Sequence, residues 1–214
     1  MDVTPLSCRS LLLLILVSVS CAGPPRFFRA PTGELQPLDP GLEWTYEVDG
    51  GVQTRRTAGL ERVGRFECRV VEARTGPVVE RFWMRWEKDG LKLLRASDGV
   101  RTVDFDDPIL LVHRLAAPGA TWSFEERHGP VTLAVEGKYE ADEEFKLAMK
   151  SGVTRSFTSA RIRLVKRVAG RVVVDQTCWY AKDVGLVRMS VVAADDDGET
   201  RTNLVLKSTN FLPE

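Results

Sequence analysis

The phrase "PGLEWTYEV" begins at Pro40 and returns 78 positions on as "PGATWSFEE" at Pro118. Both copies read Pro-Gly, two free positions, Trp, a small hydroxyl residue, an aromatic ring and Glu. The endings match as well. "RFWMRWEKDGLKLL" follows the first copy and "TCWYAKDVGLVRMS" the second, each setting aromatic residues before a Lys-Asp and a Gly-Leu. A matched opening and a matched ending mark a weak internal duplication.

The duplicated unit reads as β-sheet. "LEWTYEV" puts Leu42, Trp44, Tyr46 and Val48 on one face and Glu43, Thr45 and Glu47 on the other, the period of a half-buried strand. "RFECRVV" places Phe66, Cys68 and Val70 inward, and "RFWMRW" does the same for Phe82, Met84 and Trp86. "VTLAVEG" and "SARIRL" repeat the pattern in the second copy. Turn signals at Asp49-Gly50-Gly51, Thr75-Gly76-Pro77, Asp89-Gly90, Ala169-Gly170 and Asp197-Gly198 separate the runs. "YEADEEFKLAMKSG" from Tyr139 is rich in helix formers, yet Phe145, Leu147 and Met149 alternate; it reads as a strand, with a short helix as the alternative.

A four-stranded meander cannot cover its own apolar face, but two can curl around one core. The expected fold is all-β: a duplicated antiparallel meander forming a half-barrel, flattened barrel or sandwich. The domain spans 40–214, with repeat-like halves at about 40–106 and 118–207.

Ahead of that domain, Leu11 to Val17 is unbroken apolar sequence. It is shorter than the roughly 20 residues a membrane span needs and suits the hydrophobic region of a secretory leader. Val19-Ser20-Cys21 resembles the lipobox of bacterial lipoproteins, although Ser18 stands where that pattern has a larger aliphatic residue. The resemblance implies a signal peptide over 1–20, acylation of Cys21, and, with Ala22 next, an outer-membrane address facing the periplasm. An ordinary cleaved leader is the alternative. Residues 21–39 hold Pro24, Pro25, Pro31 and Pro37, which stop helix and sheet from propagating; they read as a tether. Phe27 and Phe28 with Arg26 and Arg29 either rest on lipid or belong to a plain linker.

The second half, from "DDPILLVHRLAAPGATWSFE" through "TCWYAKDVGLVRM", resembles a group of uncharacterised bacterial secreted proteins and lipoproteins. Their closing phrase is close to Trp-Tyr-Ala-Pro-Gly-Val-Gly-Leu-Val. Here Lys182 and Asp183 replace its Pro-Gly, which leaves the turn geometry open. The resemblance implies an antiparallel β envelope, loosely like the half-barrels of lipoprotein carriers, and no particular activity.

Chemistry is sparse in the sequence. Lys plus Arg equals Asp plus Glu at 30 each, so no cationic excess invites nucleic acid. His113 and His128 are the only histidines, neither in a zinc-like spacing, and no metal site is expected. No phosphate-binding or dinucleotide motif calls for a cofactor. "AADDDGET" lacks the alternating ligands of a calcium loop and reads as a hairpin turn. Asp104, Asp106 and Asp107 read as a loop entrance before Pro108.

Cys68 and Cys178 both fall on faces read as inward. An oxidising periplasm permits a disulfide between them; two separate buried thiols are preferred, since nothing in the sequence fixes their proximity. Trp83, between Arg81 and Arg85, reads as part of a solvated face rather than a partner patch. Trp44, Tyr46, Trp86, Trp122, Phe124 and Trp179 are candidates to line a cavity, with plain core packing as the alternative. The functional expectation is a non-enzymatic, lipid-anchored lipoprotein facing the periplasm that touches the membrane through Cys21, with either a binding role in the cell envelope, holding an apolar ligand or a protein partner, or a structural one. An envelope hydrolase with an unrecognised site is the competing class.

Overall fold

The computed structural model of the chain describes residues 33–114, 116–128, 131–149, 151–195 and 198–212. The leader, Cys21 and the tether up to residue 32 lie outside them. The strands are β1 (Glu43–Val48), β2 (Gly51–Val63), β3 (Phe66–Thr75), β4 (Val78–Trp86), β5 (Gly90–Ser97) and β6 (Thr102–His113), then β7 (Thr121–His128), β8 (Val131–Ala148), β9 (Thr154–Val168), β10 (Arg171–Ala181), β11 (Gly185–Asp195) and β12 (Gly198–Thr209). No helix occurs among the described residues.

All twelve strands form one antiparallel sheet in the order β6-β5-β4-β3-β2-β1-β12-β11-β10-β9-β8-β7. It curls into a nearly closed barrel, with β6 and β7 in contact where its two edges meet. The repeat falls into register with this order: the first copy opens β1 and the second opens β7. Each half is therefore a meander of six strands, two more than the turn signals alone suggested. The first half also runs on to His113 instead of stopping near residue 106. The Tyr139 segment is strand throughout β8.

Antiparallel alternation sorts the connections to two ends. At the far end lie tight hairpins, two of them with both central residues left-handed: Asp49 and Gly50 at φ 40° and 85°, Ala169 and Gly170 at 49° and 79°. That geometry twists with the strands it joins. The other end receives residues 33–42, the β2–β3, β4–β5, β8–β9 and β10–β11 turns, the long β6–β7 connection and the C-terminal tail; we call it the tethered end, after the tether expected from the sequence ahead of it. There β8 and β9, at 18 and 15 residues, outrun their counterparts β2 and β3, at 13 and 10. The extra length is a hairpin that passes the rim, pairs Phe145 with Phe157, buries Leu147 and touches β12.

Inside, one apolar cluster draws on both halves, including Trp44, Tyr46, Val71, Phe82, Leu93, Ile162, Leu164, Cys178, Met189 and Leu206. Outside, ion pairs bridge adjacent strands: Arg81–Glu72, Arg95–Asp104, Arg163–Asp175, Arg167–Glu136 and Lys207–Glu47.

One row of the first half departs from the expected inward facing. Val71 pairs with Phe82 toward the core, so Cys68 and Val70 face the other way, where they pack with Val63, Trp83 and Leu94 in a second small cluster. Two consecutive buried valines, Val70 and Val71, made the period ambiguous. Trp83 is 5% exposed, neither solvated nor a surface patch. Its indole donates to Glu61 Oε2 at 2.8 Å, and Arg95, not Arg81 or Arg85, stacks on its ring at 5.4 Å. Cys68 and Cys178 thus sit in different clusters on opposite faces of the sheet, and both are free thiols. The sheet itself stands between them.

Candidate functional site

The tethered end holds a cleft of about 560 Å³, lined by Trp86, Arg114, Tyr139, Asp142, Ala160 and Lys182, with residues 33–35 along one side. Three elements build it. β4 ends at Trp86, whose indole donates to Gln36 O at 2.7 Å while the Arg114 guanidinium stacks on its ring at 4.8 Å. The long β8–β9 hairpin supplies the opposite wall. There the Tyr139 hydroxyl donates to Asp142 Oδ1 at 2.6 Å, and burial, then that bond, push the phenol above its ordinary range. The third element is the strap of residues 33–38.

The strap is held by the β10–β11 turn. Asp183 takes φ 61°, the left-handed conformation a short polar side chain tolerates. From there its backbone N–H donates to Glu34 O at 2.8 Å, and its carboxylate accepts from Gly33 N at 2.8 Å. Gln36 is buried against Gly185, and its Oε1 accepts from Leu186 N at 3.1 Å. The cleft therefore has an aromatic floor, a cationic rim at Arg114 and Lys182, and acids at Glu34 and Asp142. Its size lies within the usual 300–1,000 Å³ of ligand sites. Next to it, sharing Trp86 and Arg114, is a shallow depression of about 800 Å³ where Lys92 is ion-paired with Glu87 and Asp89.

The barrel interior is not wholly apolar. Gln53, Arg55 and Thr57 project inward from β2, Glu80 from β4, Lys166 from β9 and Gln176 from β10, judged by the register they share with core residues. Arg55 stacks on the Tyr46 ring at 5.5 Å and donates to Gln53 Oε1 at 2.8 Å. Glu80 is fully buried with no hydrogen-bond partner on either carboxylate oxygen, and burial pushes it up to about 9. Burial likewise pulls the Lys166 amine down and pushes the Cys178 thiol up, against Gln176 and Tyr180 hydrogen bonds that oppose the latter.

The six candidate rings part company. Trp86 lines the cleft. Trp44 and Tyr46 are 1% exposed core plugs, donating to Val184 O and to Leu186 O at 2.9 Å. Trp122 and Phe124 are half-buried against the core beside the β6–β7 edge. Trp179 lies under Arg188 at 4.6 Å and donates to Glu143 Oε2 at 2.7 Å. His113 tilts over Trp122 at 6.3 Å between centroids and lines neither the cleft nor the depression. Among the described residues no group of three or more His, Cys, Asp or Glu could hold a metal.

Sequence reading missed Arg55, Glu80, Lys166, Arg114, Tyr139 and Asp142. Some were legible. The row Ala160, Ile162, Leu164, continued by two, lands on Lys166, and the same period runs Gln53, Arg55, Thr57. The cleft was not, because its walls come from residues far apart in the chain.

No protein-family model and no curated protein sequence matches this chain. Among solved structures, it is similar to a protein described as exported, with a YmcC-like fold, from Bacteroides fragilis, at 12% identity and a TM-score of 0.39, covering 81% of this chain and 97% of that one. It is also similar to a protein described as a lipoprotein from Parabacteroides distasonis, at 11% identity and a TM-score of 0.38, covering 83% and 98%. At that level of superposition neither likeness bears on what this chain binds.

Proposed function

We propose that the protein is a lipid-anchored binding protein of the bacterial cell envelope, held at the outer membrane through Cys21 and facing the periplasm, and that its cleft at the tethered end takes an amphiphilic ligand from the membrane surface. One observation carries the reading: the chain enters the barrel at the same end as the cleft, and the strap that follows the tether forms one side of it. Eleven residues separate Cys21 from Gly33, and a chain of that length spans at most about 40 Å at about 3.6 Å per residue, so an anchor at Cys21 keeps this mouth near the bilayer. Trp86, Leu35 and Tyr139 offer apolar surface to such a ligand, and Arg114 and Lys182 offer charge to an anionic headgroup.

Native mass spectrometry of the full chain, purified from its own host in mild detergent, tests both parts. The account expects acyl mass on Cys21 and a non-covalent amphiphile that Trp86→Ala releases while the circular dichroism spectrum is kept. An unmodified Cys21 would remove the anchor, and a bare chain would remove the ligand.

A further inference from the structure

The cleft at the tethered end carries both signs of charge, and its opposite charges do not meet. Arg114 stands on one wall, stacked on Trp86; Lys182 lines the cleft from the β10–β11 turn, and Asp142 from the β8–β9 hairpin. Among the described residues none of these three side chains forms an ion pair. Asp142 takes a hydrogen bond from the Tyr139 hydroxyl on Oδ1. The contrast is close at hand: beside the same hairpin, Arg161 holds both Glu140 and Glu143. Two cations and an acid that line one open space without bridging it are matched by a ligand carrying the reverse pair.

We propose that the ligand of this cleft is a zwitterion of the phosphoethanolamine type, borne on a lipid: a phosphodiester joined through a short carbon link to a primary ammonium. The inference rests on the reading of the cleft as an amphiphile site and names the headgroup. The phosphodiester lies between Arg114 and Lys182, and the ammonium donates to Asp142. Each alternative leaves a charge unmatched. A purely anionic headgroup gives Asp142 nothing to accept, and a purely cationic one meets Arg114 and Lys182. A quaternary ammonium donates no hydrogen bond and is held by an aromatic cage; the rings lining this cleft are Trp86, already stacked with Arg114, and Tyr139. All three charged side chains are exposed, so they set the choice between headgroups more than the total affinity. Leu35, Ala116 and the Trp86 ring meet the apolar part of the ligand.

The test holds the acyl chains constant and varies the headgroup. The full chain in non-ionic detergent is titrated with dihexanoyl phosphatidylethanolamine, phosphatidylglycerol and phosphatidylcholine, and with soluble glycerophosphoethanolamine. Tryptophan fluorescence and the phosphorus-31 shift read the binding. The proposal expects the ethanolamine lipid to bind about tenfold tighter, or more, than either other lipid and than the soluble headgroup. Asp142→Asn, which still accepts the Tyr139 bond, should erase the preference over phosphatidylglycerol by weakening the ethanolamine lipid alone. Arg114→Gln and Lys182→Gln should each weaken both. Equal binding of phosphatidylglycerol or phosphatidylcholine, or a preference unchanged in Asp142→Asn, would overturn the headgroup assignment and leave the amphiphile site standing. No response to any lipid, or a soluble headgroup that binds as tightly as the lipid, would remove the amphiphile site and this inference with it.

Discussion

The repeat gives the barrel two equivalent junctions between its halves, and they are closed differently. At β1–β12 the backbone pairs from Trp44–Thr209 to Val48–Leu204, and Lys207 meets Glu47 across it. Asn210 extends the clasp, accepting from Glu43 N at 2.9 Å and donating to Gly41 O at 2.9 Å. At β6–β7 no backbone ladder forms among the described residues. Side chains span the gap instead: Glu126 Oε1 accepts from Asp106 N at 2.8 Å, and the Trp122 indole donates to Leu110 O at 3.0 Å.

The difference is written in residue types. β6 carries Pro108, which lacks the donor a ladder needs and is tolerated at a sheet edge. It also carries Asp104, Asp106 and Asp107, facing a β7 that carries Glu125 and Glu126. Like charges and proline are how edge strands avoid pairing. The two Trp residues of the repeated phrase follow suit. Trp44 is sealed by Phe211, edge-on at 5.5 Å, while Trp122 stays half-buried. Duplication supplies a symmetric frame, and a few substitutions leave one joint of it openable.

The sharpest way to break that comparison is to truncate both rings. Trp44→Ala should cost about 3–5 kcal/mol, as large core truncations do, and Trp122→Ala less than half as much, both by urea unfolding. Equal losses would mean the two junctions are equally sealed.

A second contrast lies in the interior. Counting back from the Lys-Asp of each closing phrase, Glu80 in the first half corresponds to Val174 in the second. Glu80 is held up near 9 by burial, so between its ordinary value near 4.5 and 9 the folded chain keeps a proton that the unfolded chain gives up. Stability therefore falls as pH rises through that window. Glu80→Gln should flatten the dependence and gain on the order of 2 kcal/mol at pH 8, within the range for removing a buried, poorly satisfied acid. Parallel pH profiles for the two proteins would contradict the assignment.

A third lies opposite each Trp. Trp44 faces Arg55, whereas Trp122 faces Gly137, where an added Cβ would stand 2.1 Å from the indole. Gly137→Ala should displace that ring, costing about 1–3 kcal/mol as overpacking does and speeding hydrogen exchange at Leu110 and its neighbours. The smallest effect expected is for Asp107→Lys, a gain of a few tenths of a kcal/mol from one acid fewer on an edge strand that also carries Asp104 and Asp106, within the range for exposed pairs. Added salt should erase it.

Much of this fold was readable in advance. The all-β class, the turns and the two-fold organisation followed from period two and the repeated phrase, because a half-buried strand leaves a direct alternation in sequence. Cys68 escaped because a sheet curled this tightly buries apolar residues on both faces, so alternation no longer says which face is the core. The cleft escaped for another reason. Glu34, Trp86, Arg114 and Tyr139 meet only after the barrel closes, and no local spacing encodes that closure.

Hydrogen exchange followed by mass spectrometry, on peptides covering β1, β12, β6 and β7, reads the two junctions side by side. Slow amides along Tyr46–Val48 and Leu204–Leu206, with exchange at least tenfold faster along the facing edges of β6 and β7, is the result this account requires. Equal protection at both would mean a barrel zipped all the way round, with no side door to its cation-lined interior.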